Sequence, residues 1–153
     1  MSNLLPKGSV APDFTGIDQN GRSIRLSELR GKKVIIYFYP KDDTPGCTKE
    51  ACNLRDNYEK LQAAGYVVLG ISADDVESHK HFAEKYHLPF PLIADTEKTI
   101  IKAYGAWGVK KMYGKAYEGI QRITYIIDED GRISDVITKV KTDAHAEQIL
   151  GSS

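Results

Sequence analysis

Val34-Ile35-Ile36-Tyr37-Phe38-Tyr39-Pro40, followed by Lys41-Asp42-Asp43-Thr44-Pro45-Gly46-Cys47-Thr48-Lys49-Glu50-Ala51-Cys52, carries most of what the chain says about its fold. The first six residues are an unbroken apolar, β-prone run, the pattern of a strand buried on both faces in a parallel or mixed central sheet. Pro40 ends it. Thr44 has the chemistry of a helix N-cap, and Pro45 suits the first helical position. From there Cys47, Ala51, Leu54, Tyr58 and Leu61 recur at spacings of four and three, making one apolar helix face, and Gly65 predicts its end. The junction of a buried strand with a helix start is where α/β sheets place their ligands.

The pattern repeats outward. Residues 66–71 read as a second buried strand, 77–87 as a helix with Phe82, Ala83 and Tyr86 inward, 91–94 as a short strand and 96–104 as a short helix. Residues 123–127 and 133–140 form a hairpin around Asp128-Glu129-Asp130-Gly131, and a last helix covers 144–150. Before the first buried strand, residues 10–29 read as loop and a short hairpin turning at Gln19-Asn20-Gly21. The stretch around Trp107 and Tyr113 has no assigned element. This succession predicts one α/β domain over residues 1–153, with a central mixed β-sheet, helices on both faces and right-handed crossovers.

Composition narrows the function. The chain has 153 residues, 41% hydrophobic and 27% charged, the ordinary mix of a globular protein with room for a real core. Lysine plus arginine equals aspartate plus glutamate at 21 each, so no basic excess invites nucleic acid or an anionic membrane. No apolar run approaches the roughly 20 residues that span a bilayer. Met1 to Ser9 lacks the charged lead and apolar stretch of a secretory signal, which points to the cytoplasm. Two cysteines are too few for a disulfide scaffold.

Cys47 falls in the first turn of its expected helix, where unpaired N–H groups and the helix dipole favour a thiolate, the reactive form of cysteine. The apolar spacing also turns Cys47 inward, where loss of water favours the neutral thiol. A reactive Cys47 therefore needs a cation or further donors; without them it is an inert, well-packed side chain. Cys52 lies five residues on. An ideal helix separates the pair by about 140° and about 8.7 Å between Cα atoms, whereas a disulfide wants at most about 6.8 Å. Either the two never bond, or the first turns unwind when they do. The spacing is not that of a Cys-x-x-Cys oxidoreductase. His79 and His81 sit about 200° apart on a helix and give no paired ligand spacing, so no metal site is expected. These two, with His87 and His145, read as solvated surface groups.

The stretch from Tyr39 to Cys52 resembles the active-site segment of peroxiredoxins. Pro40, Thr44 and Cys47 meet the general Pro-x-x-x-Thr-x-x-Cys signature. The Thr-Pro-Gly-Cys-Thr run and a second cysteine five positions on are similar to the peroxiredoxin Q, or bacterioferritin comigratory protein, subfamily. Gly8 to Phe14, Tyr104-Gly105-Ala106-Trp107-Gly108 and Arg122-Ile123-Thr124-Tyr125-Ile126-Ile127-Asp128 resemble further landmarks, in the right order over nearly the whole chain.

The resemblance implies a thioredoxin-like fold and reduction of hydrogen peroxide and organic hydroperoxides without metal or organic cofactor. It casts Cys47 as the peroxidatic cysteine and Cys52 as the resolving one, joined after oxidation by an intramolecular disulfide. Thr44 would bind the peroxide oxygen, Arg122 supply positive charge beside the thiolate, Pro40 shield the site from water, and Glu50 orient the arginine. It also implies thioredoxin, or glutaredoxin, as reductant and a monomer that dimerises weakly if at all. Ile123 and Tyr125 stand where many relatives have Ser and Phe, which touches packing more than chemistry. No cysteine lies near the C-terminus, so an intermolecular bridge of the typical two-cysteine kind is unavailable to this chain.

Each role has a plainer reading: Thr44 as an N-cap, Pro40 as a strand end, Glu50 as a first-turn carboxylate, Arg122 as a surface cation. Two rival functions follow. One is a thiol–disulfide oxidoreductase acting on proteins; the other is a redox sensor or binding module that changes shape through the same cysteines.

Overall fold

In the structure, a computed structural model describing residues 4–151, the expected buried run is the middle strand of a five-stranded sheet. Residues 1–3, at the head of the N-terminal stretch read for a signal, and 152–153 lie outside the described residues. The chain opens with a two-stranded hairpin, β1 (Thr15–Ile17) and β2 (Ser23–Arg25), and a 3-10 turn over Leu26–Leu29. Then come β3 (Lys33–Phe38), α1 (Pro45–Asp56), α2 (Tyr58–Ala63), β4 (Tyr66–Ser72), α3 (Val76–Tyr86), β5 (Leu92–Ala94) and α4 (Thr99–Ala103). The chain ends with β6 (Trp107–Met112), β7 (Lys115–Ile120), β8 (Ile123–Ile127), β9 (Ile133–Ile137) and α5 (His145–Gly151).

The main sheet has the order β5-β4-β3-β8-β9. β3, β4 and β5 are parallel, and β8 and β9 add antiparallel strands, so the sheet is mixed as expected. Alternation along β3 divides the core. Val34, Ile36 and Phe38 point to one face, with Ile100 and Ile101 of α4 and the N-terminal segment. Ile35, Tyr37 and Tyr39 point to the other, with side chains of α1, α2, α3 and α5. Helices thus cover both faces. Leu54 and Leu61 are wholly buried, each worth about 1.5–3 kcal/mol of transfer free energy.

Several boundaries differ from expectation. The helix expected to run from Thr44 to Gly65 breaks at Asn57, whose side-chain Nδ2 donates to the Asn53 carbonyl at 2.8 Å. α4 starts late because Lys98, in the left-handed region at φ 62°, turns the chain just before it. The last strand stops at Ile137. The unassigned stretch around Trp107 and Tyr113 is a hairpin, β6–β7, with the Tyr113 tip almost fully exposed.

The histidine expectation fails at two positions. His79 and His145 are fully buried, while His81 and His87 are exposed. Each buried ring is matched by polar partners inside the fold, a satisfaction that periodicity cannot reveal.

Candidate active site

The register of β3 against β8 pairs Phe38 with Ile123, which sets Arg122 beside the end of β3 where α1 begins. Cys47 is the third residue of α1 and is 2% exposed. The Thr48 N–H donates to the Thr44 carbonyl at 2.8 Å; the amides of Gly46 and Cys47 precede that first helical bond and face the helix start. The Arg122 guanidinium donates from Nη2 to Cys47 Sγ at 3.3 Å and from Nη1 to Glu50 Oε1 at 2.6 Å. Gly46 makes this possible: a Cβ there would stand 3.2 Å from Arg122 Nη2. The cation required for a reactive Cys47 is therefore in contact with its sulfur.

Glu50 is fully buried, one α-helical turn below Cys47. Burial pushes its carboxyl up to about 7 from 4.5 against the opposing pull of Arg122. Its Oε2 has no hydrogen-bond partner and lies 3.6 Å from His145 Nε2. Burial likewise lowers the pKa of His145. Lys110 of β6 lines an open groove with Gln121, Arg122 and Ile123, and burial followed by the Arg122 charge makes its ammonium easier to deprotonate.

Thr44 has the extended backbone of an N-cap, but its side chain does not cap. The hydroxyl donates to the Lys41 carbonyl at 2.8 Å, leaving the oxygen lone pairs free to accept. Pro40 is half-buried between β3 and the loop. Cys52 is half-buried, its thiol pKa raised by burial. Both cysteines are free thiols on an unbroken helix. The structure thus brings Cys47, Arg122 and Glu50 into one contact chain, with Thr44 at the same helix start and Cys52 on the next turn.

Sequence reasoning missed what holds the loop between β3 and α1. Asp42 is buried, and its Oδ2 lies 2.7 Å from His79 Nδ1. His79 Nε2 is 3.0 Å from the Ile93 carbonyl. A carbonyl only accepts, so Nε2 donates to it, and one further proton lies between Nδ1 and the Asp42 carboxyl. Tyr39 and Ser78 hydroxyls also donate to Asp42, at 2.6 and 2.8 Å. Asp43, at φ 61°, accepts from Lys85 and Tyr86 of α3. Asp74 completes the group by accepting from the Asp42 amide at 2.9 Å. The Asp42, Asp74 and His79 ligand atoms cluster closely enough for a metal, but hydrogen bonds within the fold already use them.

Residues 7–136 match the model of the AhpC/TSA family. A Coxiella burnetii peroxiredoxin of the Bcp kind is 52% identical over 94% of this chain and 95% of its own length. The peroxiredoxin Bcp of Escherichia coli is 45% identical, over 97% and 95%. A solved structure of the Xanthomonas campestris bacterioferritin comigratory protein, described for its alkyl peroxide reduction activity, superposes with a TM-score of 0.87 at 32% identity, over 99% of this chain and 96% of that one. With an arginine on the sulfur of a helix-start cysteine and likeness at this level along its length, the chain belongs to the AhpC/TSA family and, within it, to the peroxiredoxins of the Bcp and peroxiredoxin Q kind.

Proposed function

We propose that this peroxidase reduces hydrogen peroxide and organic hydroperoxides through Cys47, with Cys52 closing an intramolecular disulfide. Membership of the peroxiredoxins makes the chain an oxidoreductase acting as a peroxidase. The observation that carries the finer reading is the 3.3 Å contact between Arg122 Nη2 and Cys47 Sγ.

The Cys47 thiolate attacks the terminal oxygen of ROOH, forming S–O as O–O breaks. Cys47 becomes a sulfenic acid, and RO⁻ leaves as ROH once it takes up a proton. Arg122, the amides at the start of α1 and the Thr44 hydroxyl stabilise charge as it moves onto the leaving oxygen. Pro40 limits water at the sulfur, and Glu50 aims Arg122. The start of α1 then unwinds, and the Cys52 thiol displaces water from the sulfenic acid. An external dithiol, thioredoxin or glutaredoxin, reduces the bridge by exchange. The protein works as a single domain, monomeric or weakly dimeric, in the cytoplasm; among the described residues no helix is long and apolar enough to cross a membrane.

The test is turnover with thioredoxin, its reductase and NADPH. Cys47→Ser abolishes peroxide consumption. Cys52→Ser retains one fast oxidation per molecule and loses recycling. Full steady-state turnover in Cys52→Ser would remove Cys52 from the resolving role. Peroxide consumption far below insulin reduction would favour the protein-disulfide reading.

A further inference from the structure

Three polar side chains sit beneath Arg122 and take no part in the mechanism above. His145, on α5, is fully buried, as is Thr124 on β8. His145 Nδ1 is 3.0 Å from Gln148 Oε1. That oxygen also accepts from the Lys141 amide, while Gln148 Nε2 donates to the Lys139 carbonyl, so the amide orientation is fixed. Nδ1 must then carry the proton, and Nε2 of the neutral ring is bare. Nε2 faces the Thr124 hydroxyl at 2.8 Å and Glu50 Oε2 at 3.6 Å. A bare nitrogen opposite a bare carboxylate oxygen with no hydrogen-bond partner in the protein, both buried, is unfavourable. One proton, on either atom, relieves it. The Thr124 hydroxyl fits both states, donating to bare Nε2 or accepting from Nε2–H.

We propose that His145 is a positioning residue: its bare Nε2, held opposite Glu50 Oε2, keeps the Glu50 proton in place and the carboxyl neutral, so that the Arg122 charge remains available to the Cys47 sulfur. If the pair loses that proton, Glu50 carries an uncompensated negative charge. Glu50 then competes with the thiolate for the same guanidinium. The raised Glu50 pKa and the lowered His145 pKa place the proton on Glu50, while Thr124 donates to the bare Nε2. The groups facing Glu50 are Cys47 of its own helix, Arg122 before β8, His145 of α5 and Tyr37 of β3, whose hydroxyl burial keeps un-ionised. Those facing His145 are Glu50, Thr124 and Gln148, with the Arg122 charge also reaching it.

The inference rests on Cys47 being the peroxidatic thiolate, and the experiment separates the two. The rate of Cys47 oxidation by hydrogen peroxide is measured from pH 5 to 9 in the full chain carrying Cys52→Ser, by thiol alkylation and intact mass. No oxidation in this background would overturn the peroxidase reading itself. In that background His145→Gln, whose amide N–H in place of the bare nitrogen favours ionised Glu50, is expected to be about tenfold slower at pH 6.5, just below the Glu50 value of about 7, the order of one added charge near a titrating site. At pH 5.5, where Glu50 keeps its own proton, the two rates should agree. Combined with Glu50→Gln, the His145→Gln change should have no further effect at any pH, since its action runs through the Glu50 charge. His145→Asn is the reserve variant and carries the same expectations. Equal slowing at all pH values and in the Glu50→Gln background would reduce His145 to a packing residue and overturn the proposal, as would no slowing at all.

Discussion

Glu50 bears two opposed costs. Arg122 favours its charged form, and loss of water favours the neutral one; burial wins, bringing the carboxyl to about 7. The folded state therefore binds this proton more tightly than the unfolded chain, where glutamate titrates near 4.5. The resulting stabilisation is full below pH 4.5 and is lost as pH rises through about 7, in total about 3 kcal/mol. Chemical denaturation of Glu50→Gln should show a flatter stability curve between pH 4.5 and 7.5 than the parent chain. An unchanged slope would mean that Glu50 is ionised throughout. Arg122→Ala should slow Cys47 oxidation by at least tenfold at neutral pH and move its pH profile to the alkaline side; an unchanged profile would remove Arg122 from thiolate support. Arg122, in contact with the sulfur, was legible only through the family resemblance, since alone it reads as a surface cation. His145 was not, because its burial depends on where α5 lands, and a polar residue near the chain end reads as solvated until the partners that pay for its desolvation are known.

Among the elements, α1 bears the chemistry and must also yield. Its intact turns hold Cys47 and Cys52 apart, so disulfide formation depends on how firmly the helix is tied down. Asn53 is the tie: its Oδ1 accepts from the Ala146 amide at 2.8 Å, and its Nδ2 donates to the Asp143 carbonyl at 3.0 Å. Asn53→Ala should destabilise the fold by about 1–3 kcal/mol and quicken disulfide closure after sulfenic acid forms, read as a lowered melting temperature together with faster loss of the Cys52 thiol. Slower closure would mean that the opening does not involve the α1–α5 contact. The start of α1 was readable from Pro45 and the apolar spacing. The break at Asn57 was not, since the same apolar face continues through Tyr58 and Leu61. The β6–β7 hairpin also escaped, because its strands are mostly exposed and mix lysine with tyrosine and glycine, without the alternation that marks a half-buried strand.

Across the molecule, the mixed sheet assembles parts far apart in sequence. β3 delivers the loop before Cys47, β8 delivers Arg122, α5 closes beneath Glu50, and α3 holds the loop through His79 and Lys85. The Asp42–His79 tie is buried at both ends. His79→Leu leaves the buried Asp42 carboxyl without its ring partner and should cost about 1–3 kcal/mol, with oxidation of Cys47 slowed as the Pro40–Thr44 loop loosens. Stability equal to the parent's would show that the pair does not tie the loop to α3. The most direct test of the central claim is to add about one equivalent of hydrogen peroxide to the reduced chain, then determine free thiols and intact mass, with a non-reducing gel alongside. Loss of both thiols with the mass of two hydrogens, and no dimer band, is the predicted result. Both thiols surviving, or a covalent dimer, would contradict it.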